Sequence, residues 1–313
     1  MTDTTLGPGA EFDRIRAIAE ALGAAGAGLG DDCAFLPDGW CVSIDVSTEQ
    51  VHFRRDWLAP EEIGWRAAGA ALSDLAAVGA TAEAVLVGLS SDRAEPAATI
   101  ASVMRGVGAA AQSVGARVVG GDLTAGPALS LAVTVLGRAA RPIERRGARV
   151  GDGLWVTGAL GGARAALLAW LDGREPNARA RARFAHPMPR IEAGRRLAAL
   201  GATAMIDVSD GLAGDAGHLA AASGVGLAID VGAVPIDGGV ATEAARRREP
   251  PAVLAASGGE DYELLVALPP SFDERTAGLP LPLTRVGEVV GEPGVKLMLG
   301  TERVTISGFD HFA

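Results

Sequence analysis

The sequence predicts an α/β protein of two domains built on mixed sheets. Three observations carry that expectation. Strand-like and helix-like segments alternate loosely through both halves of the 313 residues, the pattern of helices layered on sheets. Several strand-like segments follow one another directly, so the sheets are not purely parallel. A polar stretch rich in Arg and Gly, 138–153, interrupts the pattern before a new strand restarts it. Such a stretch reads as a domain boundary, which gives an N-terminal domain over 1–140 and a C-terminal domain over 141–313.

Taken in order, residues 1–10 show no periodicity and are expected to be disordered. Residues 11–22 read as a helix with Phe12, Ile15 and Ile18 on one face. After the Gly-rich 23–30, two strands at 33–36 and 40–46 flank a Pro-Asp-Gly turn. Pro60 opens a helix that the Gly79 region ends. Ile63, Ala67, Ala70 and Asp74 share one stripe of it, so an acid stands where an apolar residue belongs. Such an acid must be paired or must bind a cation. A strand at 84–89, a helix from Pro96 to about 114, a short strand at 117–119 and an apolar strand at 129–136 complete this half.

The second half begins with a strand at 154–157, then the Gly-rich 158–162 and a helix to about 171. Residues 172–188, with four arginines and two prolines, are expected to be a loop. Further expectations are a helix at 189–200, strands at 204–208, 227–231 and 262–268, a helix opening at Leu212, and short strands near 285–290, 296–299 and 304–306. No solenoid-type repeat is visible.

Composition narrows the function. The net charge of -10 disfavours nucleic-acid binding, which needs a basic face. Cys33 and Cys41 form no CxxC, and the four histidines form no H-E-x-x-H. Neither a zinc site nor a structural disulfide is expected. No signal peptide and no membrane span are read, so the default is a cytoplasmic enzyme. The single lysine, Lys296, lies outside any G-x-x-x-x-G-K-[ST] pattern. This removes a Walker A loop and a kinase-type lysine. No G-x-S-x-G elbow or Ser-His-Asp arrangement is seen, which disfavours hydrolase chemistry.

The acids carry the chemistry. Asp31 and Asp32 stand in a Gly-flanked turn, and a strand-like run ends at Asp45. Further acids follow at Asp74, Asp122, Asp207, Asp210, Glu260 and Asp261. Gly-Asp-Asp alone can be turn chemistry, and Ser-Asp before a helix is a common cap. Capping suits Ser209 and Asp210 but not Asp74, deep inside its helix. Carboxylates that converge repel one another unless a cation with oxygen ligands lies between them. Ser209, Asp207 and Asp210 at a helix start could hold Mg²⁺ and phosphate oxygens. Gly120-Gly121-Asp122 and Gly258-Gly259-Glu260-Asp261 repeat one device, paired glycines followed by an acid. It is either a turn or bulge or a close approach of backbone to ligand. His52, just after the acidic strand, is the histidine placed to meet substrate. Arg145 or Arg146 is placed to meet phosphate.

In their order, G-L-G-D-D-C-A, S-I-D-V-S-T-E-Q-V-H-F, L-S-D-L-A-A-V-G-A, G-G-D, I-D-V-S-D-G-L, S-G-G-E-D-Y-E-L and G-F-D-H-F resemble the thiamine-monophosphate kinases. That family lies in the superfamily named after aminoimidazole ribonucleotide synthetase. The resemblance runs from Gly9 to Phe312. It implies transfer of the γ-phosphate of ATP to thiamine phosphate, a cluster of Mg²⁺ ions, and a homodimer formed through the N-terminal sheet. It also implies Asp31, Asp45, Asp74, Asp122, Asp207 and Asp210 as metal ligands. Gly121, Arg145 and Ser209 would touch ATP, and His52, Glu260 and Phe309 would touch thiamine phosphate. No residue is assigned as general base or covalent nucleophile. Two departures stand out: Ile44 where the family often has Thr, and the doubled Arg145-Arg146.

The chemistry agrees. Two unit charges ~4 Å apart repel by about 4 kcal/mol at an effective dielectric of 20, and this reaction gathers several. A phosphate acceptor is already ionised, so no base is required and direct transfer without a phosphoenzyme is expected. The alternatives are a selenophosphate synthetase-like or hydrogenase-maturation-like member of the superfamily, or a non-catalytic divalent-cation-binding scaffold. No Cys precedes Cys33 and the chain ends D-H-F-A, which disfavours the first two.

Overall fold

In the computed structural model, residues 5–26, 28–274 and 278–312 are described. Two mixed sheets form the frame. The first comes from β1 (Ala34–Leu36), β2 (Trp40–Thr48), β3 (Thr81–Ser91), β4 (Arg117–Ala125) and β5 (Ser130–Arg138), in the order β1-β2-β5-β3-β4. Only β3 and β4 run parallel. The second comes from β6 (Gly153–Thr157), β7 (Ala204–Asp207), β8 (Gly226–Asp230), β9 (Leu264–Leu268), β10 (Leu283–Val290), β11 (Gly294–Leu299) and β12 (Glu302–Arg303), in the order β12-β11-β8-β10-β6-β9-β7.

Helix α1 (Ala10–Leu22) buries none of its residues. By contrast, α2 (Pro60–Ala77) buries most of its length. Pro60 supplies a first position that needs no N–H, and Glu62 Oε2 accepts from the Ala59 N–H at 2.8 Å. The alanine-rich helix is narrow enough to sit between the two sheets. It packs on β2 and β5 and, across the chain, on β7. It also crosses α3 (Ala97–Ser113) so closely that a Cβ on Gly64 would lie 1.8 Å from the Val103 oxygen. One core cluster accordingly joins Leu72 and Leu75 to Met205, Leu264 and Val266 of the second sheet.

The rest of the helices lie in the second half: α4 (Gly162–Leu171), α5 (Ala178–Ala185), α6 (Ile191–Ala199), α7 (Leu212–Ser223), α8 (Val240–Arg247) and α9 (Pro251–Ala256). The expected loop at 172–188 contains α5. Its Ala-Arg alternation shows no apolar stripe, which is why periodicity misses it. Asn177 caps it by accepting from the Ala180 N–H at 2.9 Å. Arg181 then binds Glu62 of α2 at 2.6 Å, and Arg183 binds Glu263 at 2.8 Å. Helices α8 and α9 likewise lie where the sequence pattern predicts no helix. The strand expected at 304–306 is absent. Val304 donates to the Leu297 oxygen at 2.9 Å, but the paired strand is the two-residue β12. Of the segment expected to be disordered, 1–4 lies outside the described residues, and Gly7 packs against His218.

The face of the first sheet away from its helices is left open. Ile44 is 60% exposed, Val46 52%, Val119 57% and Leu123 61%. Every residue of β4 is exposed. Cys33 and Cys41 are free and buried. No helix among the described residues is long and apolar enough to cross a membrane.

Candidate active site

The acids of the two sheets meet where α2 passes between them. Strand β2 brings Asp45, the Gly-flanked turn before β1 brings Asp31 and Asp32, α2 brings Asp74, and the end of β7 brings Asp207. One carboxylate oxygen each from Asp32, Asp74 and Asp207 lie within 4.8 Å of one another. Ser43, two residues before Asp45 on the same strand face, donates its hydroxyl to Asp74 Oδ2 at 2.6 Å. Ile44 alternates to the opposite, exposed face. Asp210 and Asp215 close the group, Asp215 Oδ2 accepting from the Asp210 N–H at 3.2 Å.

Crowding shows in the acidities. Loss of solvent, then Asp32, pushes Asp31 up to about 7 against a pull from Arg145. The same two causes push Asp45 up to about 6 and Asp207 up to about 8. Loss of solvent, then Glu11, pushes Asp210 up to about 6. Asp74 is raised well above the ordinary carboxylate value by loss of solvent, then by Asp45, Asp207 and Asp32. Asp215 is raised likewise, by loss of solvent and then Asp210. In addition, the buried Asp32 Oδ2 has no hydrogen-bond partner. An all-oxygen donor set with an orphaned carboxylate oxygen fits a hard divalent cation such as Mg²⁺.

One arginine reaches this group. Arg145 binds Asp32 Oδ1 at 2.5 Å, and its N–H donates to Asp31 Oδ2 at 3.1 Å. Its carbonyl accepts from Ser223 Oγ at 3.0 Å. Burial opposes its charge, but Asp32, Asp31 and Asp207 outweigh that and hold it above its ordinary value. Arg146 instead turns outward to Glu144 at 2.5 Å.

The Gly258–Asp261 turn folds back on the end of β7. Glu260 donates its N–H to the Ser209 oxygen at 2.7 Å and Tyr262 to the Val208 oxygen at 2.9 Å. A Cβ on Gly259 would lie 2.4 Å from the Ser209 oxygen, so this approach requires glycine. Glu260 itself sits at φ 66. Ser209 and Asp210 do not cap α7, whose N-cap is Gly211. The turn leaves them lining the cleft.

Arg66 of α2 ties the other wall together. Only 3% exposed, it pairs with Glu260 and donates to the His52 oxygen at 3.2 Å and the Phe184 oxygen at 2.6 Å. Its guanidinium also lies 3.7 Å from the Phe184 ring centroid. Arg66→Met is expected to lower stability by about 3 kcal/mol, because it leaves the half-buried Glu260 without its cation and the His52 and Phe184 carbonyls without their donor. Urea denaturation checks this, and a loss under about 1 kcal/mol would show the network to be dispensable.

His52 accepts from the Thr48 N–H at Nδ1, 3.1 Å away. Burial, then His311, lowers its pKa below the ordinary imidazole value. The closing segment covers it. His311 lies 5.0 Å from His52 and 4.8 Å from Phe309, centroid to centroid. Phe309 donates its N–H to the Asp210 oxygen at 2.9 Å. Asp310 Oδ2 accepts from the Ala10 N–H at 2.6 Å, capping α1 from the far end of the chain. Between α1, this segment and the second sheet lies a cleft of about 1100 Å³. Its lining runs from the carboxylates to Trp57, Leu167, Phe184 and Val253.

Of the expected site residues, the fold brings together Asp31, Asp45, Asp74, Asp207, Asp210, Arg145, Ser209, His52, Glu260 and Phe309, all lining this cleft. It does not bring in Gly121 and Asp122. They lie on β4, an edge of the first sheet, paired with Val87 and Gly88 of β3. A Cβ on Gly121 would lie 2.1 Å from the Val87 oxygen, so within one chain this glycine serves strand pairing. Sequence reasoning missed Asp215, Ser43 and Arg66. Asp215 had a signal, since it lies one helical turn beyond the Asp210 region on α7. Arg66 had none, because one arginine on a helix looks like a solvated residue.

The N-terminal domain of the AIR synthase related proteins matches residues 30–139, and their C-terminal domain matches 149–300. The thiamine-monophosphate kinase of Mycobacterium tuberculosis is 35% identical over 291 residues, covering 91% of this chain and 85% of that protein. That of Escherichia coli K12 is 33% identical, covering 96% of each. The solved structure of AaThiL complexed with AMPPCP and TMP has a TM-score of 0.87 at 30% identity, covering 96% of this chain and 97% of that one. With both domain models matched and relatives of this similarity along nearly the whole chain, the protein belongs to the AIR synthase related proteins and, within them, to the thiamine-monophosphate kinase family.

Proposed function

We propose that the protein transfers the γ-phosphate of ATP directly to thiamine phosphate, in line, across a group of Mg²⁺ ions. The observation that carries this reading is a single cleft lined both by crowded carboxylates and by apolar and aromatic side chains. Relatives named as thiamine-monophosphate kinases support the substrate, as does a related structure holding AMPPCP and TMP. Asp31, Asp32, Asp45, Asp74, Asp207 and Asp210 would hold the ions. Bound there, divalent cations offset the phosphate charges and align donor with acceptor.

The chain's own groups do the rest. Arg145, whose guanidinium lies against Asp32 beside the carboxylates that would hold the ions, would meet the nucleotide phosphates. Ser209 presents its hydroxyl beside Asp210. His52, Glu260 and Phe309 orient the acceptor. No proton need be removed, because the acceptor phosphate is already ionised at neutral pH. The open face of the first sheet, with Ile44, Val46, Val119 and Leu123, supports a homodimer in which that face is covered. In such a dimer, Gly121 and Asp122 on the edge strand would serve the cleft of the other copy. The test is ADP release. It should require both Mg²⁺ and thiamine phosphate; ADP formed equally without thiamine phosphate would reject the assignment.

A further inference from the structure

We propose that Arg164 reads the aminopyrimidine ring of thiamine phosphate, and so sets acceptor specificity at the end of the cleft away from the carboxylates. The inference rests on the kinase reading above and adds a residue to it. Arg164 stands in the first turns of α4 and lines the cleft with Trp57, Leu167, Phe184 and Val253. Its Nε is buried and has no hydrogen-bond partner. No carboxylate among the described residues lies within ion-pairing distance of it. Burial and then the repulsion of Arg247 oppose its charge, against a smaller pull from Glu249. A buried donor left unmade is costly, so this arginine suits an occupant of the cleft that brings an acceptor.

The order of groups in the substrate fixes which part arrives there. Phosphate is drawn to the cation-binding end. The thiazolium ring carries the phosphate arm, so it sits next, beside Glu260, His52 and Phe309. Its fixed positive charge is also repelled by a guanidinium. The aminopyrimidine, joined through one methylene, extends furthest. It is neutral, flat and bears ring-nitrogen acceptors, which matches the unpartnered Arg164 Nε in a cleft that Trp57 also lines. The Gly258–Glu260 turn links the two subsites. A Cβ on Gly258 would lie 2.7 Å from Arg164 Cβ, and Glu260 follows two residues later.

The test compares two ligands by calorimetry on the full chain: thiamine phosphate, and the phosphate ester of the isolated thiazole alcohol. Arg164→Gln should weaken thiamine phosphate roughly tenfold or more. It should leave the thiazole phosphate changed less than about twofold, since that ligand does not reach Arg164. Arg164→Lys, which keeps charge and stem but lacks the planar donor fork, should fall between and serves if Arg164→Gln folds poorly. Equal weakening of both ligands, as a phosphate contact or a general disturbance would give, overturns the proposal. So does unchanged binding of thiamine phosphate. Thiamine phosphate-dependent ADP release by the wild type judges the kinase reading separately.

Discussion

Asp74→Asn is expected to make the metal-free protein more stable while sharply lowering its turnover. Both effects come from one carboxylate. Around Asp74 lie Asp45, Asp207 and Asp32, so in the absence of a cation its negative charge is opposed by the folded state. The sign follows from proton uptake. A carboxylate raised in the folded chain binds its proton more tightly there than in the unfolded chain. It therefore favours folding while protonated and opposes it once ionised. The window runs from the ordinary value near 3.8 up to the folded values of about 6 for Asp45, 7 for Asp31 and 8 for Asp207. Stability of the metal-free wild type should fall as pH rises through that window, and millimolar Mg²⁺ should restore it. In Asp74→Asn the fall is shallower, with a melting temperature at pH 8 higher by roughly 3 °C or more. Turnover drops about a hundred- to a thousandfold, the order lost when one preorganised electrostatic group is removed. A variant melting below wild type in chelator at pH 8 would sink the account.

The second large effect is recovery. Asp122→Asn should be as inactive as Asp74→Asn, although Asp122 lies on an exposed edge strand outside the cleft of its own chain. If each site draws Asp74 from one copy and Asp122 from the other, mixed dimers of the two variants place both defects in one site. The second site is then intact. Equal amounts, unfolded together and refolded, should recover about one quarter of wild-type activity: half the dimers are mixed, each with one intact site of two. A mixture as inactive as its components would confine the site to a single chain or remove Asp122 from it.

The sequence shows the fold class well, because apolar periodicity and Gly/Pro punctuation are local. The acids of the site are legible for a related reason. Asp74 on an apolar stripe contradicts its own helix, and a local contradiction marks a function. What is not legible depends on non-local partners. Helix α5 is held by Glu62 and Glu263 from other elements, so its own residues give little warning. Asp32 and Asp31 are adjacent in one turn, yet Asp32 takes the Arg145 guanidinium and groups with Asp74 and Asp207, while Asp31 takes the Arg145 backbone N–H. Only the path of the chain from 138 to 153 decides that, just as it sends Arg145 inward and Arg146 to Glu144.

The helix that covers the cleft buries none of its own side chains and is held mainly at its ends and faces. Asp310 caps its first turn and Phe12 stacks on His218 at 4.0 Å. Gly9 and Gly23 bound it, both at positive φ. Local opening of such an element costs far less than global unfolding. Loosening of this helix would therefore leave the core of the two sheets in place. The packing of the two sheets and the seating of this helix are thus separate quantities, because they draw on different bonds.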